Sequence, residues 1–146
     1  MNTVNSNISF LFKKGVSLPE RRRLKAFIAD LIRQHNQELD VLNISFCSDE
    51  EILEVNKQYL DHDYYTDIIT FDLRERTSDP LAAELFISVD TVKSNSVMNN
   101  SSVRQELHRV IFHGVLHLLG FNDKSTQEQV VMRQMEDSAL KNYFHK

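Results

Sequence analysis

Two histidines stand four residues apart in the run HGVLHLLGFND, His113 to Asp123. On a helix, residues i and i+4 lie one turn apart on the same face, so both imidazoles can reach one ion. Neutral imidazole is a common ligand for zinc and related metals. Gly120 lets the chain leave the helix and turn back sharply. Asp123, ten residues after His113, then returns a carboxylate oxygen. Two imidazoles and a carboxylate around one Zn²⁺ leave a position for water, the form of a catalytic site. A structural zinc site is normally closed by a fourth protein ligand. The same donor set also suits Ni²⁺, Co²⁺ or Fe²⁺.

The spacing H-x-x-x-H-x-x-G-x-x-[HD] is also that of the metzincin zinc proteases. Protease chemistry stops at one residue. In H-E-x-x-H a glutamate activates the zinc-bound water as general base. Here that position is Gly114, which abstracts no proton. A base must come from elsewhere, or the metal-bound hydroxide must suffice.

Regular elements must position this run, because glycine (three residues) and proline (two) are scarce. Residues 7–12 alternate and suit a strand. Residues 18–35 carry apolar side chains at Leu24, Phe27, Ile28, Leu31 and Ile32, a helical stripe, with Pro19 in the first turn. Residues 41–47 read as a second strand. Ser48-x-x-Glu51 is a capping box opening a helix to about Tyr59. Residues 66–73 and 83–89 are β-rich and pair as a hairpin with a long loop. Asp90 is expected to cap a short helix over 91–99, broken by Asn99 to Ser102. Ser102-x-x-Gln105 opens a long apolar helix that stops at Gly120. Ser125-x-x-Glu128 opens a last one, to about Tyr143.

The order β-α-β-α-β-β-α-α-α predicts a single α+β domain over residues 1–146. Its four-stranded sheet is flanked by about five helices, and a buried central helix carries the metal-binding histidines.

The whole run HGVLHLLGFND resembles the H-G-x-L-H-L-x-G-[YF]-x-[HD] motif of the YbeY family. These are bacterial metal-dependent endoribonucleases of ribosomal RNA maturation. The resemblance extends upstream through Asn56–Tyr59, Asp63, Thr66–Phe71 and residues 83–92. It implies Zn²⁺ held by His113, His117 and Asp123, and an RNA substrate, with ribosomal subunit proteins as partners. Three positions depart from the family pattern. The third ligand is Asp123 where histidine is usual, which adds negative charge and weakens the ion as a Lewis acid. Leu60 stands at the position of an arginine thought to aid RNA binding or catalysis. Glu84, after Ala83, replaces the aspartate of a G-D-I segment.

Glu84 is therefore a candidate general base or a carboxylate partner for a ligand histidine; the alternative is an ordinary strand-edge glutamate. Arg109 shares a helix face with His113. Glu106 reads as structural or solvated, and His108 points elsewhere on the helix, toward a core or supporting role. His35, His62 and His145 read as surface residues. Asp63 and Asp67 read as fixing the loop before the third strand. Met132 and Met135 read as core.

Composition bounds the rest. The chain of 146 residues is 41% apolar and 26% charged, a globular composition. Its apolar runs are too short for a membrane helix. Residues 1–15 lack the pattern of a signal peptide, so a cytoplasmic location is expected. Cys47, the one cysteine, lies in an apolar run and reads as a buried thiol. Net charge is −4, but residues 1–35 hold seven basic and two acidic side chains. The cluster RRRLK (21–25) could meet phosphates or could be a solvated helix face. No element reads as a DNA groove reader, and single-stranded RNA suits such a surface.

The leading expectation is thus a single-strand-specific, zinc-dependent endoribonuclease of ribosomal RNA maturation and ribosome biogenesis. One rival is a zinc peptidase with a displaced base. Another is a non-catalytic ribosome-associated module with a structural metal.

Overall fold

Short runs of β-branched and aromatic residues, alternating between two faces, build the centre of this protein. The computed structural model describes residues 7–60 and 66–145. His62 and Asp63 lie outside the described residues, as does the side chain of Leu60. The strands are β1 (Ile8–Phe12), β2 (Leu39–Cys47), β3 (Ile68–Asp72) and β4 (Leu81–Ser88). The helices are α1 (Arg21–Gln34), α2 (Asp49–Leu60), α3 (Val89–Met98), α4 (Val103–Leu118) and α5 (Thr126–Phe144). The order along the chain is the expected one, β-α-β-α-β-β-α-α-α.

The strands form one sheet in the order β1-β2-β4-β3. β1 and β4 both run parallel to β2, while β3 pairs antiparallel with β4 through the expected hairpin. Period two then divides the side chains. Leu42, Ile44, Phe46, Ala83, Leu85 and Ile87 turn to one face and bury against α1 and α4. Cys47, Ile69, Phe71 and Phe86 turn to the other and pack beneath Ile52 and Val55 of α2. Helices therefore cover both faces of the sheet.

α4 is the buried central helix. Leu107, Ile111, Val115 and Leu116 are fully enclosed. Phe112 meets Phe27 of α1, with ring centroids 5.2 Å apart, and Tyr143 of α5 at 5.9 Å. Ser102 accepts from Gln105 N at 3.0 Å and caps the helix start. Gly120 ends it at φ 106°, a conformation that costs glycine little.

Both capping boxes form. Ser48 and Glu51 exchange bonds at the start of α2, as do Ser125 and Glu128 at α5. Each cap is worth about 1 kcal/mol.

Two expected helix starts differ. Pro19 precedes α1 rather than opening it, because Glu20 stands at the N-cap with φ 55°. Asp90 does not cap α3. Ser88 does, accepting from Thr91 N at 3.1 Å. Asp90 is inside the first turn, where it binds Lys14 Nζ at 2.6 Å and accepts from Asp49 N at 2.9 Å. A carboxylate in the first turn still answers the free N–H groups and dipole of a helix start. Here it serves two helix starts at once.

The remaining histidines and methionines mostly follow expectation. His108 is buried in the aromatic cluster, stacked on Tyr143 at 5.3 Å. Burial lowers its imidazole from the ordinary value, so it stays neutral in the core. Met132 is buried and Met135 is partly buried against the same core. His145 is exposed. His35 is half-buried, edge-on to Phe121. Glu106 is buried rather than solvated and accepts from Asn99 and Ser101, closing the α3–α4 turn.

Candidate metal centre

The last two turns of α4 carry both candidate imidazoles. His113 is half-buried and His117 exposed, one turn nearer the helix end. The chain turns at Gly120 and returns Asp123 toward His113. His113 Nε2 and Asp123 Oδ2 stand 3.4 Å apart. Gln129 Nε2 donates to the Asp123 carbonyl at 3.1 Å and ties that loop to α5.

The other side of the His113 ring settles what this contact needs. Its Nδ1 lies 2.6 Å from Glu136 Oε2 on α5. A carboxylate accepts, so Nδ1 carries the hydrogen, and Nε2 of the neutral ring is a lone pair. That lone pair faces a second carboxylate oxygen. Two acceptors at such a distance repel unless a proton or a cation lies between them. Ligands on bonds of about 2.1 Å in a tetrahedron stand about 3.4 Å apart. The donor set and spacing of His113 and Asp123 therefore fit a shared metal ion.

His117 is not drawn into that pair. Among the described residues, no three His, Cys, Asp or Glu side chains are gathered closely enough to hold an ion. The expected convergence of three ligands is thus seen for two. His117 instead stands where it helps hold the Asp72 carboxyl down, after the larger effect of Arg74.

Glu136 is the residue that sequence reasoning missed. It is 6% exposed, and it takes Arg109 Nη1 at 3.0 Å as well as His113. Arg109 also reaches Asp137 at 2.8 Å. The Glu136 hydrogen bond raises the His113 imidazole above its ordinary value, with burial opposing. The one signal available was position. Glu136 falls on the buried stripe of α5 with Met132, Ala139, Leu140 and Tyr143. An acid there needs a partner inside.

Glu84, the candidate general base, lies on the wrong face. Leu85 meets α4, because a Cβ on Gly114 would stand 2.9 Å from its Cδ1. The adjacent Glu84 must turn away, to the side that α2 covers, and it pairs across the ladder with Phe71. Glu84 is thus a strand glutamate turned from the histidines, though on the interior strand β4 rather than at a strand edge.

Asp67 feels the site instead. Burial pushes its carboxyl up, and His113 pulls it part of the way back. Its backbone carbonyl also accepts from Ser88 N at 2.9 Å, so it fixes the start of β3 as expected.

A second clasp holds the helix end. Arg74, whose side chain is 4% exposed, grips Asp72 through two nitrogens at 2.9 and 2.7 Å. It also donates to the Leu118 carbonyl at 2.9 Å. The hairpin loop thereby anchors the backbone one residue beyond His117.

Comparison with known proteins agrees with this architecture. Residues 12–144 match the family described as Endoribonuclease YbeY. An Endoribonuclease YbeY of Cytophaga hutchinsonii is 43% identical over 133 residues, covering 90% of this chain and 92% of the relative. One of Bacteroides thetaiotaomicron is 46% identical over 129 residues, covering 87% and 93%. The solution structure of TM1509 from Thermotoga maritima superposes with a TM-score of 0.66 at 25% identity, covering 94% of this chain and 89% of that one.

Proposed function

This chain belongs to the YbeY family of endoribonucleases, and from that premise we propose that it cleaves single-stranded RNA in ribosomal RNA maturation with one bound Zn²⁺. The observation that carries the metal reading is the approach of His113 Nε2 to Asp123 Oδ2 at 3.4 Å, the separation that two ligands of one ion would keep. His113 Nε2 and Asp123 would hold the ion. His117, exposed and one turn along the same face, would join by rotating its side chain. When bound, the ion supplies Lewis-acid polarisation and lowers the pKa of a water toward neutrality.

The protein's own groups do the positioning. Glu136 locks the His113 ring and its tautomer, and Arg109 locks Glu136. The Gly120 turn and Gln129 hold the loop of Asp123. Arg74 keeps the end of α4 in register with β3. Ribosomal subunit proteins are the expected partners and the cytoplasm the expected location. No helix among the described residues is long and apolar enough to cross a membrane.

The test is cleavage of an end-labelled, single-stranded ribosomal RNA precursor. Metal-loaded protein is expected to cut it, chelated protein to be silent, and added Zn²⁺ to restore the activity. Loss of the folded state on chelation, with no RNA cut before it, would favour the structural-metal module. Hydrolysis of casein instead would favour the peptidase.

Glu136 gives a second check. Glu136→Gln keeps the size of the side chain but loses its charge. It is expected to weaken metal affinity or cleavage about 10–100-fold. Glu136→Ala removes a buried partner of Arg109 as well and is expected to cost about 3–5 kcal/mol of stability. Isothermal titration with Zn²⁺ and urea unfolding separate the two effects. A Gln variant with wild-type affinity and rate would remove Glu136 from the site.

A further inference from the structure

The sheet's free edge carries cations laid on aromatic rings. β1 is an edge strand, and Phe10 and Phe12 share one of its faces. Arg21 and Lys25 share one face of α1 at i, i+4. Arg21 Cζ lies 4.3 Å from the Phe12 ring centre, and Lys25 Nζ lies 5.5 Å from that of Phe10. Arg22, next to Arg21 on α1, stands exposed.

Most other cations of this region are already engaged by the protein. Lys14 binds Asp90, Arg33 binds Asp30, and Arg23 reaches Glu20 and the Tyr143 carbonyl. Lys13, Arg21, Arg22 and Lys25 have no acidic side chain within ion-pair distance among the described residues. The imbalance is local. Residues 1–35 have an excess of five positive charges in a chain of net charge −4. Three of these, Arg21, Arg22 and Lys25, lie together on α1 in an otherwise acidic protein and call for a polyanion.

We infer that the β1–α1 edge is an accessory binding surface for the phosphate backbone of the single-stranded RNA substrate, separate from the metal centre. This rests on the endoribonuclease reading of the chain. The arrangement favours RNA over other polyanions: a guanidinium laid on Phe12 offers its N–H groups to phosphates and its outer plane to a base. The stacked cations are held in place before the strand arrives, which reduces the ordering cost of binding. Behind this surface, Phe27 of α1 packs on Phe112, the residue before His113.

The test compares wild type with Arg21→Gln/Arg22→Gln/Lys25→Gln, and with Lys57→Gln/Lys93→Gln on α2 and α3 as control. Thermal unfolding followed by circular dichroism verifies that each is folded. The probes are a six-nucleotide RNA and a thirty-nucleotide RNA of the same cut sequence. For the longer RNA the triple variant is expected to raise KM at least about tenfold at 0.1 M salt, with kcat unchanged. The slope of log affinity against log salt should flatten by about 2, at about 0.7 for each phosphate that the variant no longer neutralises. The short RNA and the control variant should change little. Equal KM and salt slope in wild type and triple variant would overturn the inference while leaving the nuclease intact. So would RNA binding that is unchanged while binding of a polyglutamate peptide is lost. If wild type cleaves neither RNA, the functional reading itself fails.

Discussion

Replacing His117 by alanine is expected to stop RNA cleavage and to leave the fold almost untouched. His117 is exposed, and alanine is the best helix former, so α4 loses little. The pair of His113 and Asp123 would be left with two protein donors for an ion that needs three and a water. Loss of a supporting group around a metal typically costs 10–100-fold, so loss of a ligand should exceed about 100-fold in rate. His113→Ala should be as inactive but less informative, because it also strands the buried Glu136 and Arg109. The measurement is the initial rate on end-labelled RNA, with bound zinc counted on the same preparations and the melting curve recorded. A His117→Ala protein that cleaves at the wild-type rate would remove His117 from the centre. It would leave the ion to His113, Asp123 and another donor.

The second large effect is at Gly114, where the protease pattern has its glutamate. Gly114→Glu is expected to destroy the folded state rather than create a peptidase. Gly114 faces the sheet, not the metal side. A Cβ there would stand 2.7 Å from Ile68 Cδ1 and 2.9 Å from Leu85 Cδ1. Overpacking of this kind costs about 1–3 kcal/mol. The carboxylate would add several kcal/mol more, since Leu85 is fully buried. The sum is comparable with the about 5–15 kcal/mol that holds a domain together. Gly114→Ala should behave differently. Two flexible side-chain ends must give, but the helix gains about 1 kcal/mol from losing a glycine. It should unfold within about 1–2 kcal/mol of wild type. Urea titrations of both variants and a casein assay decide the matter. A Gly114→Glu protein that unfolds cooperatively at the wild-type midpoint would show that the position is open. The missing glutamate thus has a packing explanation: α4 lies too close to β3 and β4 for a side chain of that length.

Much of this was legible along the chain because it depends on near neighbours. The capping boxes at Ser48/Glu51 and Ser125/Glu128 involve residues three apart, and both formed. The histidine pair depends only on helical period, and Gly120 only on its own backbone freedom. Element order followed from the same local rules. Asp90 misled because its acid suits either a cap or a first turn. Ser88, two residues earlier, lay within the apolar strand pattern and gave no sign of a helix start.

Local chemistry along the chain dictates the elements, their starts and stops, and the stripe that carries His113 and His117. The docking of those elements supplies the rest. Period two says that Glu84 and Leu85 face opposite ways, but not which of them meets α4. Both sheet faces are covered by helices, so polarity does not distinguish them. Only the packing of α4 on Leu85 turns Glu84 away from the histidines. Glu136 reaches His113 across 23 residues, and Arg74 reaches Leu118 across 44. Such pairings arise from how α5 and the β3–β4 loop dock on α4. A contact between distant segments is set by the shape of the whole core, and no local spacing encodes it.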